Sequence, residues 1–173
     1  METTKKFELS NETIEFNGIT LHRIKALKNF SDVKAGDLGG WVETEDNLSQ
    51  MDNAWVYSNA KVYRNAEVYD NAKICGDAII YGNAEVYENA EICGDAVIRG
   101  NAKVCNKTDY IIFKNFWSSG RFFTWTRSNN MWSVGCFYGK GKELIEKAYK
   151  DSKTSGKEYE RVVKYVDSIL ADE

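Results

Sequence analysis

From Asn53 to Asn106 the polar and apolar positions of the chain recur every six residues. Each block reads Asn or Asp, Ala, a variable residue, Val or Ile, then two further residues, nine times without insertion. The apolar pairs run from Ala54 and Val56 to Ala102 and Val104. Their i, i+2 spacing puts both side chains on one face of an extended strand and turns the residue between them outward. Apolar positions at i, i+2, i+6 and i+8 do not follow a 3.6-residue period, so the pattern excludes helix. A short strand followed by a bend every six residues predicts a parallel β-solenoid filled by Ala and Val or Ile. The chain contains no proline, so its bends fall to Asn, Asp and Gly, which tolerate left-handed backbone angles.

The flanks follow other patterns. Before the array, TIEF and ITLHRIKAL alternate around Asn17-Gly18, a strong hairpin signal. GDLGGWVE (36–43) then brings three glycines and a tryptophan. A repeat stack exposes apolar surface and strand edges at its open end, so residues 1–46 are expected to be a hairpin cap. NLSQMD (47–52) reads as a degenerate first block, giving a solenoid over 47–106. Beyond it, DYIIFKNFWSS, GRFFTWTRSNN and MWSVGCFYG predict three strands, with turns at Ser118-Ser119-Gly120 and Ser128-Asn129-Asn130. KELIEKAYKDS and SGKEYERVVKYVDSILADE predict two helices, the second capped by Ser155. Residues 107–173 are thus expected to form a β-β-β-α-α module.

The hexads resemble those of the hexapeptide-repeat, left-handed β-helix proteins. That resemblance implies a mainly β fold in which three hexads, 18 residues, make one triangular coil. Residues 18 apart then stack at about 4.8 Å. The expected columns include Trp55-Lys73-Glu91, Glu67-Glu85-Lys103, Lys61-Ile79-Val97, amide ladders such as Asn53-Asn71-Asn89, and a Cys75-Cys93 pair.

Charge divides the chain more than its total of −3 suggests. Residues 1–106 carry 11 basic and 17 acidic side chains, net −6; residues 107–142 carry six and one, net +5. An acidity of −6 over that length is too dilute for nucleic-acid mimicry. No apolar run is long enough to span a membrane, and the N-terminus lacks a signal-peptide core, so the expected location is the cytoplasm. The four cysteines are accordingly expected as reduced thiols; without Cys-x-x-Cys spacing they predict no metal site.

Many proteins of this repeat type are acyltransferases that use a histidine beside a groove between subunits. Here the lone histidine, His22, falls in the hairpin, and no loop interrupts the coils. No nucleophile–base pair, P-loop or dinucleotide fingerprint stands out. The expectation is therefore a protein that is not an enzyme and carries no cofactor. Two groups of residues are candidates for binding. Trp55, Tyr57, Tyr63, Tyr69, Tyr81 and Tyr87 lie at outward positions and predict an oligomer or partner surface. Lys114, Trp117, Arg121, Trp125, Arg127 and Trp132 interleave cations with aromatic rings, the materials of base stacking and phosphate pairing.

Gly36–Glu43, Leu48–Gln50, the hexads and Gly135–Phe137 together are similar to a narrower group of small proteins encoded by bacteriophages and prophages. The resemblance implies a binding protein of the host bacterial cytoplasm, an accessory or anti-defence factor. It would sequester or inhibit a host defence protein or a nucleotide-like small molecule, with no role at membranes or in sequence-specific DNA binding. A homo-oligomer is expected, a trimer ahead of a dimer. The competing readings are an acyltransferase-like enzyme and a self-assembling structural protein.

Overall fold

The computed structural model describes residues 5–173, which divide into two compact units. The first comprises residues up to Tyr110 together with Thr126–Asn129; the second comprises Ile111–Trp125 and Asn130–Glu173.

The first unit is the solenoid. Its hexads form nine two-residue strands: β4 (Trp55–Val56), β5 (Lys61–Val62), β6 (Glu67–Val68), β7 (Lys73–Ile74), β8 (Ile79–Ile80), β9 (Glu85–Val86), β10 (Glu91–Ile92), β11 (Val97–Ile98) and β12 (Lys103–Val104). They stack into three parallel faces, β4-β7-β10, β5-β8-β11 and β6-β9-β12. Partners are 18 residues apart throughout, as in Val56↔Ile74 and Val62↔Ile80. Every inward Ala, Val and Ile of the nine hexads is at most 1% exposed. Bends close because every sixth residue adopts positive φ, from Ser58 through Arg64 and Asp70 to Gly100. The expected amide ladders form: the Asn53 amide donates to Asn71 Oδ1 at 2.9 Å, and that of Asn65 to Asn83 at 3.1 Å.

The N-terminal segment extends one face and covers the open end. β1 (Phe7–Phe16) and β2 (Ile19–Ala26) form the hairpin, with Asn17 and Gly18 both at positive φ. β2 pairs with β3 (Leu38–Val42), and β3 joins β5 in parallel through Val42↔Val62. The GGWV stretch is therefore itself a rung. Gly40 occupies the place held by Ala in the hexads, where a Cβ would lie 2.6 Å from both Val56 Cγ1 and the Ala60 carbonyl oxygen. Leu48 pairs with Val68. These early rungs are offset by 20 residues from their partners, not 18. NLSQMD is thus out of register with the hexads: Leu48 takes the aliphatic position, not the alanine one. The two extra residues fall before Ala54, in a turn where Asp52 has positive φ.

Polar side chains secure this cap. Asn47, buried, donates to the carbonyls of Arg64 and Ala66 and accepts from the amides of Glu43 and Thr44. Gln50 accepts from the backbone of Lys6 and Phe7 and donates to the Phe7 carbonyl. The buried Lys6 ammonium donates to the carbonyls of Met51 at 3.0 Å and Ala54 at 2.8 Å.

The second unit places a four-stranded sheet against two helices. Its strands, β13 (Tyr110–Lys114), β14 (Phe122–Thr126), β15 (Met131–Val134) and β16 (Phe137–Gly139), lie in that order. The stretch expected as one third strand is two, because Gly135 at φ +56° turns the chain between β15 and β16. Phe123, Trp125, Trp132 and Val134 pack on Leu144 of α1 (Gly141–Asp151) and Val163 and Val166 of α2 (Lys153–Ala171). The α2 cap is Ser152 rather than Ser155: the Ser152 hydroxyl accepts the Ser155 amide at 3.0 Å. Gly156 admits Tyr149 so closely that a Cβ there would meet its ring at 2.3 Å.

Candidate binding faces

The outward aromatics divide into covered and open sets. Tyr63 is 3% exposed beneath Leu21 and Trp41, with Phe16 edge-on at 5.9 Å. Trp55 is 1% exposed against Phe7 and Phe30. Both were expected on a partner surface; the N-terminal segment covers them instead, because the cap needs apolar surface to pack against. Tyr81 stacks under Tyr63 at 5.0 Å, between the guanidinium groups of Arg64 and Arg99. Tyr57 donates to Asp32, which also accepts from Lys73 at 2.9 Å. Lys73 first and Tyr57 second hold the Asp32 carboxyl well below the usual carboxylate range. Tyr69 and Tyr87 stack at 5.2 Å and remain half-buried on the β6-β9-β12 face. Tyr69 donates to Glu85, which pairs with Lys103 at 3.0 Å; burial and Glu85 push the Tyr69 hydroxyl up to about 12.

At the N-terminal end of that same face lies a cleft of about 690 Å³, lined by Glu43, Thr44, Asp46, Asn47, Arg64, Asn65 and Glu67. The turn Glu45–Asn47, pinned by Asn47, forms one wall and the first hexads the other. A second depression beside it shares Asp46 and Glu67 and reaches Tyr69. Its ionisable lining is three acidic residues and one arginine, so the cleft is net negative. Nothing in the hexad pattern signals this cleft, since the Glu45–Asn47 turn that walls it lies before the hexads.

The interleaved aromatic and basic residues do not form one surface. Trp125 and Trp132, each 1% exposed, are core residues, and Trp117 packs against that core beside Phe123 and Tyr159. Lys114 is exposed, with its ammonium over Phe122. Arg121 lines a 40 Å³ cavity with Cys136, Lys147 and Tyr159 over Val134, Phe137 and Leu144. Arg127 belongs to the solenoid unit, where its Nε donates to the Thr108 carbonyl at 3.1 Å. A four-stranded sheet this short fills its interior with large rings, which accounts for most of the aromatic content.

His22 is half-buried on β2, opposite Thr13 and Val42. Cys75 and Cys93 stack as expected with Cα atoms 4.6 Å apart, but the structure joins them as a disulfide rather than leaving two thiols. No described helix is long and apolar enough to cross a membrane.

No protein-family model matches the chain. It is similar to the uncharacterized acetyltransferase YdcK of Escherichia coli strain K12, 36% identical over 61 residues. That match covers 31% of this chain and 19% of the relative, so the chain spans about a fifth of the relative's length. The expectation of a protein that is not an enzyme is overturned by this finding: the relative carries an acetyltransferase's name. The lack of an array histidine or loop insertion argues against one arrangement of catalytic groups, not against enzymes built on this repeat. Taken with the 18-residue stacking, this partial match fits the solenoid unit to a hexapeptide-repeat β-helix.

Proposed function

We propose that the protein uses its β-helix as a rigid body that binds a partner through the acidic cleft at Glu43, Asp46 and Glu67. The partner group is cationic, an amine or guanidinium. The observation that carries this reading is the cleft itself: about 690 Å³, lined by three acidic residues and a single arginine. The Glu43 carboxylate is committed to the Arg64 amide, and the Arg64 guanidinium lies over the Tyr81 ring at 5.8 Å. Asp46 and Glu67, both exposed, are left to meet a ligand. A phosphorylated, nucleotide-like ligand fits poorly, because like charges at short range are unfavourable. The resemblance to phage-encoded proteins makes a basic surface of a host protein the favoured partner, and inhibition or sequestration the favoured role.

A second reading, acyl transfer, is favoured by the acetyltransferase-named relative; the same cleft would then hold the acceptor amine. Affinity capture from host lysate with wild type and an Asp46→Asn, Glu67→Gln variant tests the cleft. Partners retained by the wild type should be lost from the variant, and retention would refute the site. Incubation of captured partners with acetyl-CoA separates the readings, since acetylated product appears only under the second.

A further inference from the structure

The 18-residue coil brings Cys75 and Cys93 together on adjacent rungs of the β4-β7-β10 face, just after the paired inward residues Ile74 and Ile92. Glu91 stands two residues before Cys93, and its carboxylate lies 3.7 Å from the Cys93 sulfur. The rung neighbour of Glu91 is Lys73, which would neutralise it in a simple ladder. Lys73 instead turns to Asp32 at 2.9 Å. Glu91 therefore has no ion pair among the described residues, although a cation is stacked on its strand. The ligand atoms of Cys75, Glu91 and Cys93 all lie within 4.8 Å of one another, and both cysteines are half-buried.

We propose that, in the reduced protein, Cys75, Cys93 and Glu91 form a site for a thiophilic divalent cation such as zinc. Two thiolates and one carboxylate supply three protein ligands and leave a fourth, tetrahedral position for water or a ligand. Sulfur donors select zinc or cadmium over the hard cations magnesium and calcium. The step from the disulfide balances as thiol exchange. Two molecules of a thiol reductant become their own disulfide and deliver two electrons and two protons to the protein sulfurs. Metal entry then displaces those two protons. The inference reverses the sequence-based expectation of no metal site, which considered the thiols without the carboxylate that stacking places beside them.

Cadmium titration of the reduced protein tests the site in a Cys105→Ser, Cys136→Ser background. That background matters because the Cys105 sulfur lies 3.3 Å from Asp109 and could bind metal itself. One equivalent of cadmium should produce a saturable sulfur-to-metal charge-transfer band and release two protons, and zinc in excess should compete for the same site. Cys75→Ser or Cys93→Ser should abolish the band. Glu91→Gln should weaken binding by at least about tenfold, the effect of losing roughly 1.4 kcal/mol. Oxidation to the disulfide should abolish binding without loss of the far-ultraviolet circular dichroism of the fold. Absence of a saturable band, or a band unchanged in the serine variants, would overturn the site. Unchanged affinity in the exposed-residue variant Glu91→Gln, whose fold is not at risk, would overturn the three-ligand arrangement.

Discussion

Lys6 is the residue whose chemistry is most at odds with its surroundings. Its side chain is fully buried, and burial, opposed by Asp52 and reinforced by Lys28, lowers its pKa from 10.5 to about 8. Below about pH 8 both folded and unfolded chains carry the proton, and the native state bears the cost of a buried ammonium. Between about pH 8 and 10.5 the unfolded chain holds more protons, so stability rises with pH across that window. Tyrosines and other lysines titrate nearby, so the informative quantity is the difference between wild type and Lys6→Met in urea unfolding. That difference should shift in favour of the wild type as pH rises through the window; a flat difference would show that Lys6 is not desolvated. Nothing in KKFELS announced this role, because a lysine is ordinarily solvated, and the carbonyls of Met51 and Ala54 that receive it are set by the fold. Gly40 was equally silent. GDLGGWVE gives no sign that position 40 lacks room for the methyl group that the hexads accommodate.

At the scale of elements, what repeats was legible and what breaks the repeat was not. The inward Ala and Val or Ile positions, the three faces and the 18-residue columns follow from periodicity, since one strand face must be apolar and the other is free. The 20-residue offset of β3 and Leu48 escaped detection because a single degenerate block has no periodicity to anchor it. The division of β15 from β16 rests on one glycine in a stretch otherwise rich in strand formers. The aromatic segment was ambiguous for a different reason: rings and cations serve a small core and a binding surface alike, and only burial tells Trp125 from Lys114. The inward register is open to a direct test. Ile80, 0% exposed on β8 between β5 and β11, would bury an unpaired carboxylate as Ile80→Asp. The expected destabilisation is about 4 kcal/mol or more, at the severe end for a single substitution, read as loss of the cooperative thermal transition. Native-like melting would mean that position 80 faces outward.

For the whole molecule, the question is which surface remains for a second copy of the chain. Of the six outward aromatics, Trp55 and Tyr63 are taken up by the cap, Tyr81 lies between two guanidinium groups, and Tyr57 is tied to Asp32. That leaves the stacked pair Tyr69 and Tyr87, tied only within its own face through Glu85, as the ladder for a second copy. Aromatic residues are enriched at interface centres, where they bury large area at low entropic cost. We therefore propose that the homo-oligomer expected from the sequence forms on the β6-β9-β12 face. Tyr87 lies one coil beyond Tyr69, the ladder tyrosine that borders the acidic depressions, so association and partner binding can be perturbed separately. Tyr87→Arg should reduce the mass measured by light scattering to that of one protomer while leaving the circular dichroism unchanged. Asp46→Asn with Glu67→Gln should leave the mass as it was and affect capture alone. If Tyr87→Arg retains the wild-type mass, the tyrosine ladder is a rung-stacking device that stiffens the coils, and any oligomer assembles through another face.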